Sequence, residues 1–346
     1  MRESGNAGEA TGARELPVAG TGGTVAPDAG RLAIGFGALV VLVVGLMVLG
    51  ALVRAHGAGL ACPDWPLCFG ELVPTMDLRV AFEWSHRVMA GGVALVFGGL
   101  ALRTLRRPST APGVRRLIVA ATLLLALQIL LGALTVWQLL ASWTVTSHLV
   151  TGSAFAASVL LVARGLADES RGAVSAPPVP TAARVWIGAA AALLFAQMVL
   201  GGLVSSRYAG LACPDWPTCS GDVWFPSWRG SVGLHLLHRS VGYALAATLV
   251  GAAVVCRRAP SLSGLTLLAA ILVVLQIVVG IVNVRFVIPV EVTGLHTGLA
   301  AALVLTLTLC VHTAWRRGAR SGQEPDPGVG LHPQAAPSAA RSDGGP

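Results

Sequence analysis

Residues 59–70 read GLACPDWPLCFG, and residues 210–221 read GLACPDWPTCSG. Such near-identity within one chain marks an internal duplication, and a repeat of this kind has to be read before any single motif. Working outward, the match continues on both sides of the two segments. SHRVMAG at 85–91 parallels LHRSVGY at 237–243, LQILLG at 127–132 returns as LQIVVG at 275–280, and SHLVTG at 147–152 parallels LHTGLA at 295–300. The chain is two copies of one unit in tandem.

The composition says what solvent that unit lives in. Of 346 residues, 54% are hydrophobic and 12% are charged, where a soluble domain carries roughly a quarter charged. Eight apolar stretches approach the ~20 residues that a crossing helix needs. They lie near 32–53, 82–102, 117–137, 143–163, 185–204, 232–255, 262–284 and 287–311. Each copy therefore holds four crossings, and an even number gives both copies the same orientation, as in parallel repeats about an axis along the membrane normal. The expected fold is an all-α polytopic membrane protein of eight transmembrane helices, arranged as two tandem, pseudo-symmetric four-helix bundles. The expected divisions are a disordered cytoplasmic tail (1–30), an N-terminal bundle (31–166), a cytoplasmic linker (167–184), a C-terminal bundle (185–316) and a second disordered tail (317–346). The tails are rich in Gly, Ala, Pro and Ser, with too little apolar surface to offset the entropy of ordering. The first span has a long polar lead and no small-residue cleavage site, so it reads as an anchor rather than a signal peptide.

Net charge is +8, all of the excess from arginine because the chain has no lysine. A basic balance raises nucleic acid as a partner, but these arginines fall between apolar segments rather than on one patch. They carry topology instead. Arg103, Arg106, Arg107, Arg115 and Arg116 follow the second span; Arg164, Arg171 and Arg184 the fourth; Arg257 and Arg258 the sixth; Arg316, Arg317 and Arg320 the eighth. The opposite loops hold only Arg54, Arg79, Arg207, Arg229 and Arg285. By the positive-inside rule both termini are cytoplasmic and the cysteine-bearing loops face outward; a lysine-free composition rich in Ala, Gly and Arg points to a GC-rich bacterial genome and so to a bacterial cell membrane.

Four of the eight histidines, His86, His148, His238 and His296, occupy repeat-equivalent places early in the even-numbered spans. Six to nine residues into a helix is roughly 9–13 Å at 1.5 Å per residue, so all four sit at one depth in the outer half of the bilayer. Ionisable groups there face the bundle interior as relays or ligands. Two neutral imidazoles facing each other suit axial ligation of a haem iron, giving the pairs His86 with His148 and His238 with His296. The plainer alternative, hydrogen bonding between helices, is harder to sustain for four residues in register. Arg87 and Arg239 directly follow two of the histidines and are placed to pair with haem propionates, or to snorkel to the interface. Glycines at 91–92, 132, 152, 201–202, 280, 294 and 298 admit a macrocycle or simply close helix packing.

One position breaks the symmetry. Glu83 precedes His86 by one helical turn, and its repeat equivalent is His235. A buried carboxylate is costly unless paired, protonated or functional, so the choice is between an interfacial salt bridge to Arg87 or Arg79 and a reactive group in a catalytic first bundle. Glu291, also unduplicated, sits at the mouth of the last span and reads as interfacial. Cys62 with Cys68, and Cys213 with Cys219, are closely spaced cysteines in outward loops, where disulfides form; they staple the loop or pass electrons. His56 is the sole nearby histidine, which argues against a metal site. Asp64, Trp65, Asp215 and Trp216 shape the cap over each bundle. Cys256 and Cys310, near the other membrane face, receive no role.

EWSHR at 83–87 behind a CPDWPxC loop, with histidines at 148, 238 and 296 in a duplicated eight-helix frame, resembles the haem A synthase family over about residues 31–316. The resemblance implies oxidation of the C8 methyl of haem O to a formyl by successive hydroxylations, giving haem A for terminal oxidases. It implies that His238 and His296 ligate a haem B cofactor, that His86 and His148 hold the substrate haem O, and that Glu83 stabilises a positive intermediate or moves protons. Cys62 and Cys68 would take part in or gate the redox steps. Implied partners are the lipid bilayer, an electron donor of unassigned identity and the farnesyltransferase that makes haem O; a homo-oligomer is compatible with the sequence. Two rivals use the same residues differently: a bis-histidine di-haem electron carrier, which gives Glu83 no task, and a membrane thiol oxidoreductase, which leaves the histidine register unexplained.

Overall fold

The computed structural model describes residues 27–172 and 179–315, and its described residues form eight long helices. These are α1 (Pro27–Ala55), α2 (Leu78–Leu105), α3 (Pro112–Trp137), α4 (Ser142–Arg171), α5 (Thr181–Ser206), α6 (Gly230–Cys256), α7 (Ser263–Arg285) and α8 (Val290–Trp315). All eight are long and apolar enough to cross a membrane. The expectations for residues 1–26 and 316–346, including the arginines after the eighth span, lie outside the described residues.

Hydropathy located the helices but not their ends, because a helix continues wherever its backbone can, apolar or not. α1 starts at Pro27, inside the stretch assigned to the tail, and proline suits a helix start because its missing N–H has no intrahelical partner there. α4 runs through the polar ADESR to Arg171 and stops at Gly172, whose φ of 76° suits a glycine after a helix end. Residues 167–171 of the expected linker are therefore helix. Glu169 in that extension accepts from the Ala111 N–H at 2.9 Å, at the start of α3. α2 begins four residues before the expected span, where Asp77 accepts from the Val80 N–H at 2.9 Å as an N-cap. α8 begins three residues late, because Val287 and Ile288 form a left-handed turn into Pro289. Leu139 and Leu140 make the equivalent turn between α3 and α4.

Two hydrophobic cores confirm the two bundles, one built from α1–α4 and the other from α5–α8. In the first, Phe97 stands edge-on to Phe36 and Phe155, with centroids at 6.3 and 5.3 Å, and joins α1, α2 and α4. Between the bundles α1 packs on α8 and α4 on α5, with α4 touching α8. Those pairings exchange when the halves are exchanged, as a pseudo-two-fold axis requires. Arg54 at the end of α1 crosses that boundary: its Nε donates to Ser205 Oγ at 2.7 Å, it also donates to the Ser205 carbonyl, and its guanidinium lies 4.8 Å above the Tyr208 ring.

Close approach across the boundary depends on small residues. A Cβ at Gly202 would stand 2.8 Å from Thr146 Cγ2 and 3.3 Å from its Cα. Gly202→Val should therefore destabilise the protein by about 1–3 kcal/mol, the usual result of overpacking. The check is a lower thermal unfolding midpoint in detergent, with Gly37→Val, where no atom lies within 4 Å, unchanged.

Candidate haem sites and their caps

Each duplicated loop folds as a small disulfide-closed cap on the even-numbered helix that follows. Cys62 is bonded to Cys68 and Cys213 to Cys219, as expected. The remaining letters of the motif have local jobs. Asp64 accepts the Phe69 and Gly70 N–H groups at 2.7 and 2.8 Å, and these bonds, Gly70's foremost, hold its carboxyl below the usual carboxylate range. Gly70 and Gly221 turn the chain at φ 74° and 54°, a conformation that glycine adopts without a Cβ clash. Asp215 accepts from Gly221 N–H at 2.8 Å.

The helix holds its cap through an arginine. Arg87 donates to the carbonyls of Asp64 (2.6 Å), Leu67 (2.5 Å) and Cys62 (3.2 Å) and to Glu83 Oε1 (2.5 Å). Arg239 repeats the pattern on Asp215 (3.0 Å), Thr218 (3.1 Å) and Cys213 (2.7 Å), with Nε 3.2 Å from His235. Cap carbonyls left without backbone partners by the tight turn draw most of each guanidinium's five N–H donors.

Glu83 and His235 occupy equivalent places beneath the caps, 5% and 4% exposed. Glu83 makes the salt bridge to Arg87 that the sequence left as one alternative, and its other oxygen accepts the Cys62 N–H at 2.9 Å. His235 Nδ1 lies 3.3 Å from Cys213 N and its Nε2 faces Arg239. A neutral imidazole accepts at one nitrogen only, whereas a carboxylate accepts both donors at once. Both side chains thus support a cap, but only the first bundle does so with an acid.

Below the caps the four histidines stand in register. His86 and His238 come eight residues after the start of their helices, and His148 and His296 six. The pairing follows the bundles: His86 and His148 lie on α2 and α4 of the first, His238 and His296 on α6 and α8 of the second. Each ring lies against a helical glycine of the preceding helix. A Cβ at Gly50, Gly132, Gly201 or Gly280 would stand 3.0, 3.3, 3.2 and 3.4 Å from Cε1 of His86, His148, His238 and His296 in turn. One turn before three of these glycines is a glutamine. Gln128 Nε2 reaches His148 Nε2 at 3.2 Å, Gln197 Nε2 reaches His238 Nε2 at 3.5 Å, and Gln276 donates to the His296 carbonyl at 3.0 Å. The fourth place is Leu46. The Q-x-x-x-G spacing is visible in the sequence at 128–132, 197–201 and 276–280, but nothing in one sequence ties it to a histidine on another helix.

This donor set fits a haem. All four imidazoles bury an Nδ1 that has no hydrogen-bond partner. Among the described residues no three metal-ligating side chains converge, so each site offers paired imidazoles, which suffice where a porphyrin provides the four equatorial nitrogens. Cys256 and Cys310 are free and buried in the second core.

Comparison with known proteins agrees with this architecture. The family profile described as COX15-CtaA, cytochrome oxidase assembly protein, matches residues 33–308. A heme A synthase of Shewanella oneidensis is 29% identical over 324 residues, covering 80% of this chain and 95% of that protein. A heme A synthase of Halalkalibacterium halodurans is 30% identical over 272 residues, covering 77% of this chain and 91% of that protein. By the extent of that match, the chain belongs to the COX15-CtaA family of cytochrome oxidase assembly proteins.

Proposed function

We propose that this protein is a haem A synthase, which oxidises the C8 methyl of haem O to a formyl. The relatives carry that activity in their names, and one structural observation supports the division of labour: two histidine–glycine sites are built alike, but only the first has a carboxylate under its cap. Because His235 supports the second cap without a negative charge, cap support alone does not call for an acid at Glu83. The charge serves the reaction.

In this reading His86 and His148 hold the substrate haem, and Gly50 and Gly132 let their rings stand back against the helices. Glu83 stabilises positive charge developing at the reacting edge, or takes a proton from it, while Arg87 orients the carboxylate. Two successive hydroxylations, each passing two electrons from the methyl carbon to an external oxidant, give a geminal diol, which loses water to become the aldehyde. The caps keep bulk water from that edge. His238 and His296 hold a haem B cofactor, whose contribution is one-electron chemistry within the membrane. The Cys62–Cys68 and Cys213–Cys219 pairs face the outer compartment and exchange electrons with the sites below or simply close the caps. Both termini are cytoplasmic in a bacterial cell membrane. Handover from the farnesyltransferase suits a substrate so poorly soluble in water. A di-haem electron carrier is not favoured, since it leaves Glu83 without a task.

Acid-extracted haems from membranes co-expressing the chain with a haem O source should contain haem A. Glu83→Gln, which keeps an acceptor for the Cys62 N–H, should lower the yield by about 10²-fold, the smaller end of what acid–base catalysis supplies. His235→Gln should leave conversion within a fewfold of wild type. Unconverted haem O with a folded wild-type protein would refute the synthase reading. The glycine contacts give a second expectation. Gly201→Val pushes on His238 and should remove the low-spin bis-histidine spectrum of the protein purified without haem O. Gly132→Val should keep that spectrum and lose conversion.

A further inference from the structure

The two bundles differ in one seam. α6 packs along α7, whereas the equivalent pair in the first bundle, α2 and α3, barely touches. Side chains on α2 match that gap. His86, Met89 and Leu100 face α1, against Gly50, Gly45 and Gly35. Gly91 and Gly98 lie roughly 160–200° around the helix from Met89 and Leu100, at 100° per residue, so they edge the flank away from α1. An added Cβ at either would meet nothing within 4 Å. In α6 the corresponding residues are Tyr243 and Val250, and the Tyr243 hydroxyl accepts from Trp216 Nε1 of the second cap at 3.0 Å. The first bundle has no such tie: Trp65 of its cap packs instead on Trp137 at the end of α3, centroids 6.0 Å apart.

The other approaches to His86 and His148 are closed by packing, since α1 lies on α2 and α4, and α3 lies on α4. Arg87 and Glu83 pin the cap to α2, and Leu140 of the α3–α4 turn closes on Gly59 behind it. The pair itself is deep, with Nδ1 of both rings buried and unpartnered, and Oε1 of Gln128 beside His148 likewise. A route into this site therefore runs sideways, through the α2–α3 seam.

We propose that the α2–α3 seam is a lateral portal by which a haem carrying an apolar isoprenoid tail passes between the bilayer and the His86–His148 site, and that Tyr243 and Val250 are what deny the second site such a portal. This rests on the synthase reading for its occupant. A farnesylated macrocycle partitions into the hydrocarbon layer, where a gap bordered by glycine admits the flat ring edge-on and leaves the tail among the lipid chains. The arrangement also explains how like sites serve unlike purposes: the first exchanges its haem each turnover, and the second retains its own.

The test reconstitutes the full chain, loaded with its resident haem, in nanodiscs and supplies haem O from donor vesicles. Uptake is followed by the Soret band and conversion by haem extraction. Gly91→Tyr/Gly98→Val, which copies the second bundle, should slow uptake by about tenfold or more, the steric effect of side chains placed in the gap. Its resident haem spectrum should stay wild type. Gly92→Val/Gly99→Val, on the flank past α1 where an added Cβ is also unobstructed, should take up haem O at the wild-type rate. Should the double variant not accumulate, Gly98→Val alone is read in the same way. Equal uptake in all variants would overturn the portal and leave the seam to lipid only; equal slowing in both double variants would overturn it too, in favour of general packing of α2. Wild-type protein that takes up haem O without converting it would instead count against the synthase reading while the portal is still measured.

Discussion

An imidazole enters the middle of a tight helical bundle only where the facing helix gives up its side chain. That exchange occurs four times here, at Gly50, Gly132, Gly201 and Gly280, and the rest of the site depends on it. The glycine lets the Cε1 edge of the ring approach a neighbouring backbone closely. Glutamine one turn away then reaches two of the rings. With a larger residue at those positions the rings would be pushed inward, and each bundle would fill with its own side chains.

On this shared frame, three of the differences between the halves bear on what the site can do. Glu83 against His235 changes the charge beneath the cap. Leu46 against Gln197 leaves His86 without the amide that His238 has. Gly91 and Gly98 against Tyr243 and Val250 accompany a parted seam. The cap machinery, by contrast, is retained almost atom for atom: arginine on three carbonyls, aspartate on the glycine turn, disulfide beneath. A duplication supplies its own control in this way, since whatever both halves keep is required by the common architecture and whatever one half alters is available to a separate function.

Much of this was legible in the sequence, and the limits are physical. The spans, the duplication and the disulfides follow from hydropathy, spacing and repeat register, all of which are carried by the order of residues along the chain. Helix ends were missed because a bilayer limits only the apolar part of a helix; α4 continues through Ala167–Arg171 on polar residues, and α8 waits for Pro289. The contacts of Arg87 and Arg239 with the caps were not legible because only the folded cap shows which carbonyls lack partners. The contacts of Gly50 and Gly132 with their histidines were invisible for a related reason: glycine in a membrane helix has many uses, and its partner lies on another helix.

The central claim is that the second histidine pair holds a resident haem while the first is kept for substrate. It is tested most directly by haem content and low-temperature EPR of protein purified from a host that makes haem B but no haem O. The account predicts a single low-spin bis-histidine haem per chain, retained in His86→Ala and lost in His238→Ala. A haem that survives His238→Ala and disappears with His86→Ala would contradict it.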